Sequence, residues 1–295
     1  MISKIKKPVS IILSILMVVS VFAIVPITAS AVDGTIAPYL TFTGTEAFSI
    51  KTGNNKENWD GTIEYSTDAE TWTTWDGKTI NSSDSNVLYF RGTRNTKITG
   101  NRSATYRWAI TTTGTVACSG DIRTLLDYSD PESSEMATNC FSYLFYGCAS
   151  LTAAPELPAT TLANQCYYNM FNGCEGLTTA PALPATTLAA GCYYGMFYDC
   201  KALTAAPLLP ATTLAEACYS YMFYNCVGIT TAPELPATTL AQACYSFMFA
   251  GTGITTAPAL PATELVDSCY NNMFYWCKSL TAAPELPATE LADSC

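Results

Sequence analysis

Apolar and polar positions follow three different rhythms along the chain. Residues 9–25 are apolar apart from Ser10, Ser14 and Ser20, with Lys4, Lys6 and Lys7 before them and Pro26 and Ala29-Ser30-Ala31 after. A positive start, an apolar run and an A-x-A end are the parts of a secretory signal peptide, so residues 1–31 read as a leader removed on export. The run is barely long enough to compete as a membrane anchor, which needs about 20 residues. No second long apolar run follows, so the mature chain is expected off the membrane and outside the cell.

From residue 32 to 130 the rhythm has period two. Segments 39–43, 47–51, 62–66, 72–75, 87–91, 104–110 and 115–119 combine β-branched and aromatic residues, several of them in alternation, and Thr, Ser, Asn and Gly separate them. Alternation over four to eight residues predicts half-buried strands. Asp76-Gly77 is a turn signal. About seven short strands predict an all-β sandwich module. Its Trp59, Trp72, Trp75 and Trp108 read either as a core or as a platform for stacking a sugar, and burial of aromatics in a small core is the commoner use.

From residue 140 onward the third rhythm is a repeat. Cys140, Cys166, Cys192, Cys218, Cys244, Cys269 and Cys295 recur every 26 residues, with one interval of 25. Six units are complete, each close to Cys-Tyr-x-x-Met-Phe-x-x-Cys-x-x-Leu-Thr-x-Ala-Pro-x-Leu-Pro-Ala-Thr-x-Leu. Such self-similarity predicts a solenoid in which no unit buries its apolar face alone. Leu162, Cys166, Met170 and Cys174 stand four apart, flanked by Tyr167 and Phe171, which predicts an apolar stripe on a short helix. Thr160 or Thr161 would cap it and Gly173 would end it. The Pro-containing segment 177–183 is expected to be extended. Each unit is therefore predicted as a short strand, a turn and a helix or 3-10 segment. The seventh unit stops at Cys295 without a polar cap, and a longer parent protein is the expectation.

Met196 to Thr204 and Leu209 to Thr212 carry Met-Phe-x-x-Cys-x-x-Leu-Thr and Leu-Pro-Ala-Thr, and these motifs recur through residues 140–295. They resemble the leucine-rich repeats of BspA-type bacterial surface proteins. The resemblance implies a leucine-rich-repeat solenoid on a secreted or surface-displayed protein, and with the strands of residues 32–130 the expected fold is multidomain: an all-β sandwich followed by that solenoid. It implies adhesion or protein recognition and brings no catalytic residue with it.

Composition narrows the chemistry. The chain has no His, which removes His-based nucleophile pairs, His-ligated zinc and His proton shuttles. Its net charge is −10, and taking Lys4, Lys6 and Lys7 from the 14 cations leaves 11 against 24 anions, a net of −13. That balance opposes nucleic-acid binding. The 13 Cys have no C-x-x-C pair, so no zinc site is expected, and no cofactor. Their place in the apolar pattern predicts buried thiols stacked in files, although export permits disulfides.

What remains for recognition is the set of variable positions. Tyr143, Tyr168, Tyr194, Tyr221 and Phe247 fall at one place of the repeat, and Tyr198, Tyr224 and the Tyr275-Trp276 pair at another. A band of exposed aromatics predicts an interaction surface. Packing of each ring on its neighbour one coil away is the competing structural reading. The expected function is non-catalytic binding to a protein or glycan on a host or neighbouring cell. The alternatives are a spacer that displays another domain, or the non-catalytic part of a larger secreted enzyme.

Overall fold

A computed structural model describes residues 39–295, and the expected leader, residues 1–31, lies outside them. Period two becomes strands as the pleat requires. In β1 (Leu40–Gly44) Leu40 and Phe42 point inward and are fully buried, while Thr41 and Thr43 face out. In β6 (Val87–Thr93) Leu88 and Phe90 are buried and Tyr89 and Arg91 face out. β2 (Phe48–Thr52), β3 (Thr62–Ser66), β4 (Thr73–Thr74), β5 (Ile80–Asn81), β7 (Trp108–Thr112), β8 (Val116–Ser119) and β9 (Leu151–Ala153) complete the strands among the described residues. They form a six-stranded sheet, β4-β3-β6-β1-β8-β9, and a three-stranded sheet, β5-β2-β7. All pairings are antiparallel except β8 with β9.

The sheets meet over aromatic rings. Trp75 stacks on Trp59 at 5.1 Å and meets the edge of Trp108 at 4.9 Å, and Phe90 lies 4.9 Å from Trp108. Three of the four module tryptophans are thus core. Trp72 is not: Arg91 lies over its ring at 4.1 Å, on the outer face of the larger sheet. Gly92 in β6 lets the 3-10 turn Ile122–Leu125 press against the strand, since a Cβ there would sit 1.6 Å from the Leu125 carbonyl oxygen. Residue 104 begins a 3-10 turn, Ala104–Tyr106, where a strand was expected.

The sheet module runs into the repeats without a linker. β9 belongs to the first repeat unit, the Trp108 N–H donates to the Leu144 carbonyl at 2.7 Å, and Phe145 packs against Phe42. The described residues make one compact unit.

The repeats overturn the expected leucine-rich-repeat solenoid of strand plus helix. No α-helix occurs among the described residues, and both 3-10 turns lie outside the repeats. Each unit instead carries a run of overlapping turns. In the second unit the N–H groups of Cys166, Tyr168, Met170, Asn172 and Cys174 each bond to the carbonyl three residues back. The alternate N–H groups, of Gln165, Tyr167, Asn169, Phe171 and Gly173, point along the stack to Ala190, Cys192, Tyr194, Met196 and Tyr198 at 2.8–3.0 Å. Every backbone N–H in this run is therefore paired without a helix or a continuous sheet. Every fourth residue has positive φ: Gln165 57°, Asn169 51° and Gly173 75°. This left-handed residue, third in alternate turns, is what a helix cannot accommodate. The apolar spacing is a true four, with no drift of the 3.6 kind, so Cys166, Tyr167, Met170, Phe171 and Cys174 all point into the spine, fully buried.

The same residues of successive units lie above one another. Tyr167, Tyr193, Tyr219 and Tyr245 form one buried stack with rings 5.8–5.9 Å apart, and Phe145, Phe171, Phe197, Phe223 and Phe249 another at 5.6–5.8 Å. Leu183 and Ala185 and their counterparts close the spine from the extended, Pro-rich side, where only isolated parallel bridges such as Thr161 to Thr187 occur. The 25-residue interval loses its residue between Thr252 and Ile254. Thr252 stands in the second Cys file, and Ile254 is buried in the place of Ile229.

Candidate binding surface

Four-residue turns decide which side chains leave the spine. Counting from the first Cys of a unit, positions one, four and five point in, and positions two, three and six come to the outer edge of the turn run. The expected single aromatic place is in fact two adjacent positions. Tyr168 and Tyr194 stand second after their Cys, whereas Tyr143, Tyr221 and Phe247 stand third. The swap has a partner. Where the ring is second, the third residue is Asn169 or Gly195. Where the ring is third, the second is Ser142, Ser220 or Ser246, and Ser142 and Ser220 donate to the Gln165 and Ala243 carbonyls of the next coil at 2.7 and 2.6 Å. The two sets of rings still meet. Tyr168 stacks on Tyr194 at 4.5 Å, Tyr194 tilts against Tyr221 at 5.4 Å, and Tyr221 stacks on Phe247 at 4.8 Å.

The sixth positions join the same surface. Tyr198 stacks on Tyr224 at 4.5 Å, Tyr224 lies 5.7 Å from Tyr221, and Tyr275 reaches Phe247 at 6.4 Å and Trp276 at 6.0 Å. Tyr146 packs on Tyr143, which touches Tyr168. All nine expected residues are thus connected through ring contacts, in one band along the stack. The coil-to-coil packing and the exposed band coexist. Tyr168 is buried at 8% exposure, Tyr143, Tyr194, Tyr198, Tyr221, Tyr224 and Phe247 are half-buried, and Tyr275 and Trp276 are exposed at 50% and 63%.

Four rings of the band sit on left-handed backbone: Tyr143, Tyr221 and Phe247 at the third position, with φ of 59°, 56° and 54°, and Trp276 at the seventh, with φ of 59°. The left-handed region costs a residue with a Cβ about 1–2 kcal/mol. The neighbouring units avoid that cost with Asn169 or Gly195 at the third position, so the fold does not require a ring there.

Two cations bracket the band. The Arg102 guanidinium lies over the Tyr168 ring at 4.5 Å and donates to its hydroxyl at 3.0 Å, and Lys278 lies over Trp276 at 4.7 Å. Neither was apparent in the sequence, since both come from segments outside the turn run. Partial burial raises the Tyr194, Tyr198 and Tyr221 phenols above their ordinary range, and neighbouring phenols add to the shift. These hydroxyls stay protonated at neutral pH and act as neutral donors and acceptors.

The cysteine files are structural in geometry. Twelve of the 13 Cys are buried, and all are free thiols. Burial pushes the Cys148 thiol up to about 11 and that of Cys192 to about 12. The second file makes a recurring bond: Cys174, Cys200 and Cys226 donate to the Phe145, Phe171 and Phe197 carbonyls of the preceding coil at 2.9–3.2 Å. Among the described residues no three His, Cys, Asp or Glu side chains converge as metal ligands. No helix among them is long and apolar enough to cross a membrane.

Comparison with protein-family models, with curated proteins and with solved structures finds no match to the chain.

Proposed function

We propose that the chain is an exported, non-catalytic binding protein whose aromatic band is its recognition surface. The observation that carries this reading is the connected band of rings along the stack, most of them partly exposed, which keeps Tyr143, Tyr221 and Phe247 at left-handed positions where other units place Asn169 or Gly195. A connected aromatic surface is also the usual composition of a recognition site, because Tyr supplies contact area with few rotatable bonds and a polar tip. The positive start, apolar run and A-x-A end of residues 1–31 support export.

The band's own variation supplies fold-compatible substitutions. Asn169 and Asn272 occupy the Tyr221 position, and Asn172 occupies the Tyr198 position. The variants Tyr221→Asn and Tyr198→Asn are expected to keep the fold within about 1 kcal/mol, because Asn tolerates positive φ at residue 221. They should lose at least tenfold in binding to whichever array probe the wild type captures, with glycans and extracellular-matrix proteins arrayed side by side. Wild-type binding that the variants retain, or an empty array, counts against the reading.

A spacer role is the second reading, and the merging of β9 into the sheet module favours it, since a jointless connection makes a stiff rod. Binding that is indifferent to substitutions in the band and lost on changes to the sheet module would support it.

A further inference from the structure

The band repeats along a line, and that constrains what fits it. Within the stacked pairs the rings advance 4.5 Å from Tyr168 to Tyr194, 4.8 Å from Tyr221 to Phe247 and 4.5 Å from Tyr198 to Tyr224, one step per coil. A ligand that meets every rung must itself repeat at about that step. Extended pyranose chains come close to that step, one sugar ring to about one coil. Globular protein surfaces do not repeat. An added peptide strand would need free backbone N–H groups, and those of the turn run are already spent within the coil or on the next one.

Charge constrains it further. The formal charges at the band are Arg102 over Tyr168 at one end, Lys278 over Trp276 at the other, and Asp199 beside Tyr198, which accepts from the Asn225 amide. What the band offers between them is neutral: ring edges and phenol hydroxyls. No residue outside the band bonds the hydroxyls of Tyr194, Tyr198, Tyr221 or Tyr224 among the described residues. Hydroxyl rows at coil spacing match the hydroxyl rows of a neutral sugar polymer. At the tilted contacts, Tyr194 against Tyr221 at 43° and Tyr221 against Tyr224 at 41°, the rings leave the face-to-face stack.

We infer that the occupant of the band is an uncharged linear polysaccharide lying parallel to the stack, one sugar ring to a coil. This rests on the band being the recognition surface and specifies its ligand. The protein takes the chain by many weak, equal contacts, so affinity grows with the number of coils spanned.

The test is retardation of the full chain in native gels cast with hydroxyethylcellulose, arabinoxylan, galactomannan or a linear β-1,3-glucan, with polygalacturonate as the anionic polymer. Calorimetry with two- to six-unit oligosaccharides of the retarding polymer follows. At least one neutral polymer should retard the protein more than polygalacturonate does. Affinity should rise at least tenfold from the dimer to the hexamer. Tyr198→Asn combined with Tyr224→Asn should abolish retardation, while Thr212→Asn on the Pro-Ala-Thr side leaves it intact; unchanged circular dichroism and thermal melting certify both folds. No retardation by any neutral polymer, or affinity flat beyond the dimer, overturns the polysaccharide. If an arrayed protein is instead lost on Tyr198→Asn with Tyr224→Asn, the glycan is wrong and the band stands as the binding surface. If the double variant loses no ligand at all, both fall.

Discussion

The sheet module and the coil stack solve one problem in opposite ways. Both must pair backbone polar groups around an apolar interior. In the sheet module the partners are distant and each is different: β1 pairs with β6 at Leu40 and Phe90 and with β8 at Thr41 and Ser119. In the stack the partner is always one coil away, and half of the bonds close locally. The first arrangement ties the whole module together. The second distributes stability as a sum over neighbours.

A buried ring is the strongest lever on this contrast. Phe197→Ala empties a rung that is stacked on both sides and should cost about 3–5 kcal/mol. Hydrogen exchange should show the coils carrying Phe171 and Phe223 opening with it while β1 and β6 stay protected. Equal loss of protection in both regions would mean that the stack has no separate cooperativity. Gly92→Ala attacks the other side. Its Cβ would meet the Leu125 carbonyl, and the expected cost is about 3 kcal/mol, felt throughout the sheet module. Protection confined to loss around residues 92 and 125 would contradict a module that acts as one.

Alkali should separate the regions as well. Only Cys118 lies in the sheet module, and the other buried thiols lie in the repeats. Burial raises these thiols above their ordinary value near 9, to about 11 at Cys148 and about 12 at Cys192. A raised folded value means that the native state holds the proton more tightly than the unfolded chain. Its stabilising contribution is complete below pH 9 and disappears as pH climbs toward 11–12. Denaturant midpoints measured from pH 8 to 11 should fall, with the repeats losing exchange protection first. The smallest expected effect is a gain. Ala217 and Ala243 hold φ of 49° and 53°, and Ala217→Gly should stabilise by about 0.5–1 kcal/mol after the entropy that Gly adds to the unfolded chain. An unchanged or lowered melting temperature would mean that the strain is absorbed elsewhere.

The two regions were also unequally legible. Alternation in Leu40-Thr41-Phe42-Thr43 and Leu88-Tyr89-Phe90-Arg91 has one physical reading, because only a pleat places every second residue on one face. Cys166, Met170 and Cys174 had two. A spacing of four fits a helical stripe loosely and a run of turns fully, and the apolar residues alone do not discriminate. The discriminating signal lay in the residues between them: Asn169 with Gly173, Gly191 with Gly195, and Asn225 with Gly251 one coil on. Asn and Gly at that step disfavour a helix and favour positive φ. The band residues could be named because they vary while their neighbours repeat. Their split between two positions was hidden, because it shows only when Ser142, Ser220 and Ser246 are aligned with Tyr168 and Tyr194.

The missing residue after Thr252 shows where this architecture tolerates change in length. It falls outside the turn run, and the Phe249 and Phe274 rings still stack at 6.1 Å across the shortened unit. Duplication or loss of a whole coil would ask even less, because each new layer would meet a copy of the surface its predecessor met. Gene-level copying could therefore lengthen or shorten the aromatic track one layer at a time, setting its reach without any new interface having to be invented.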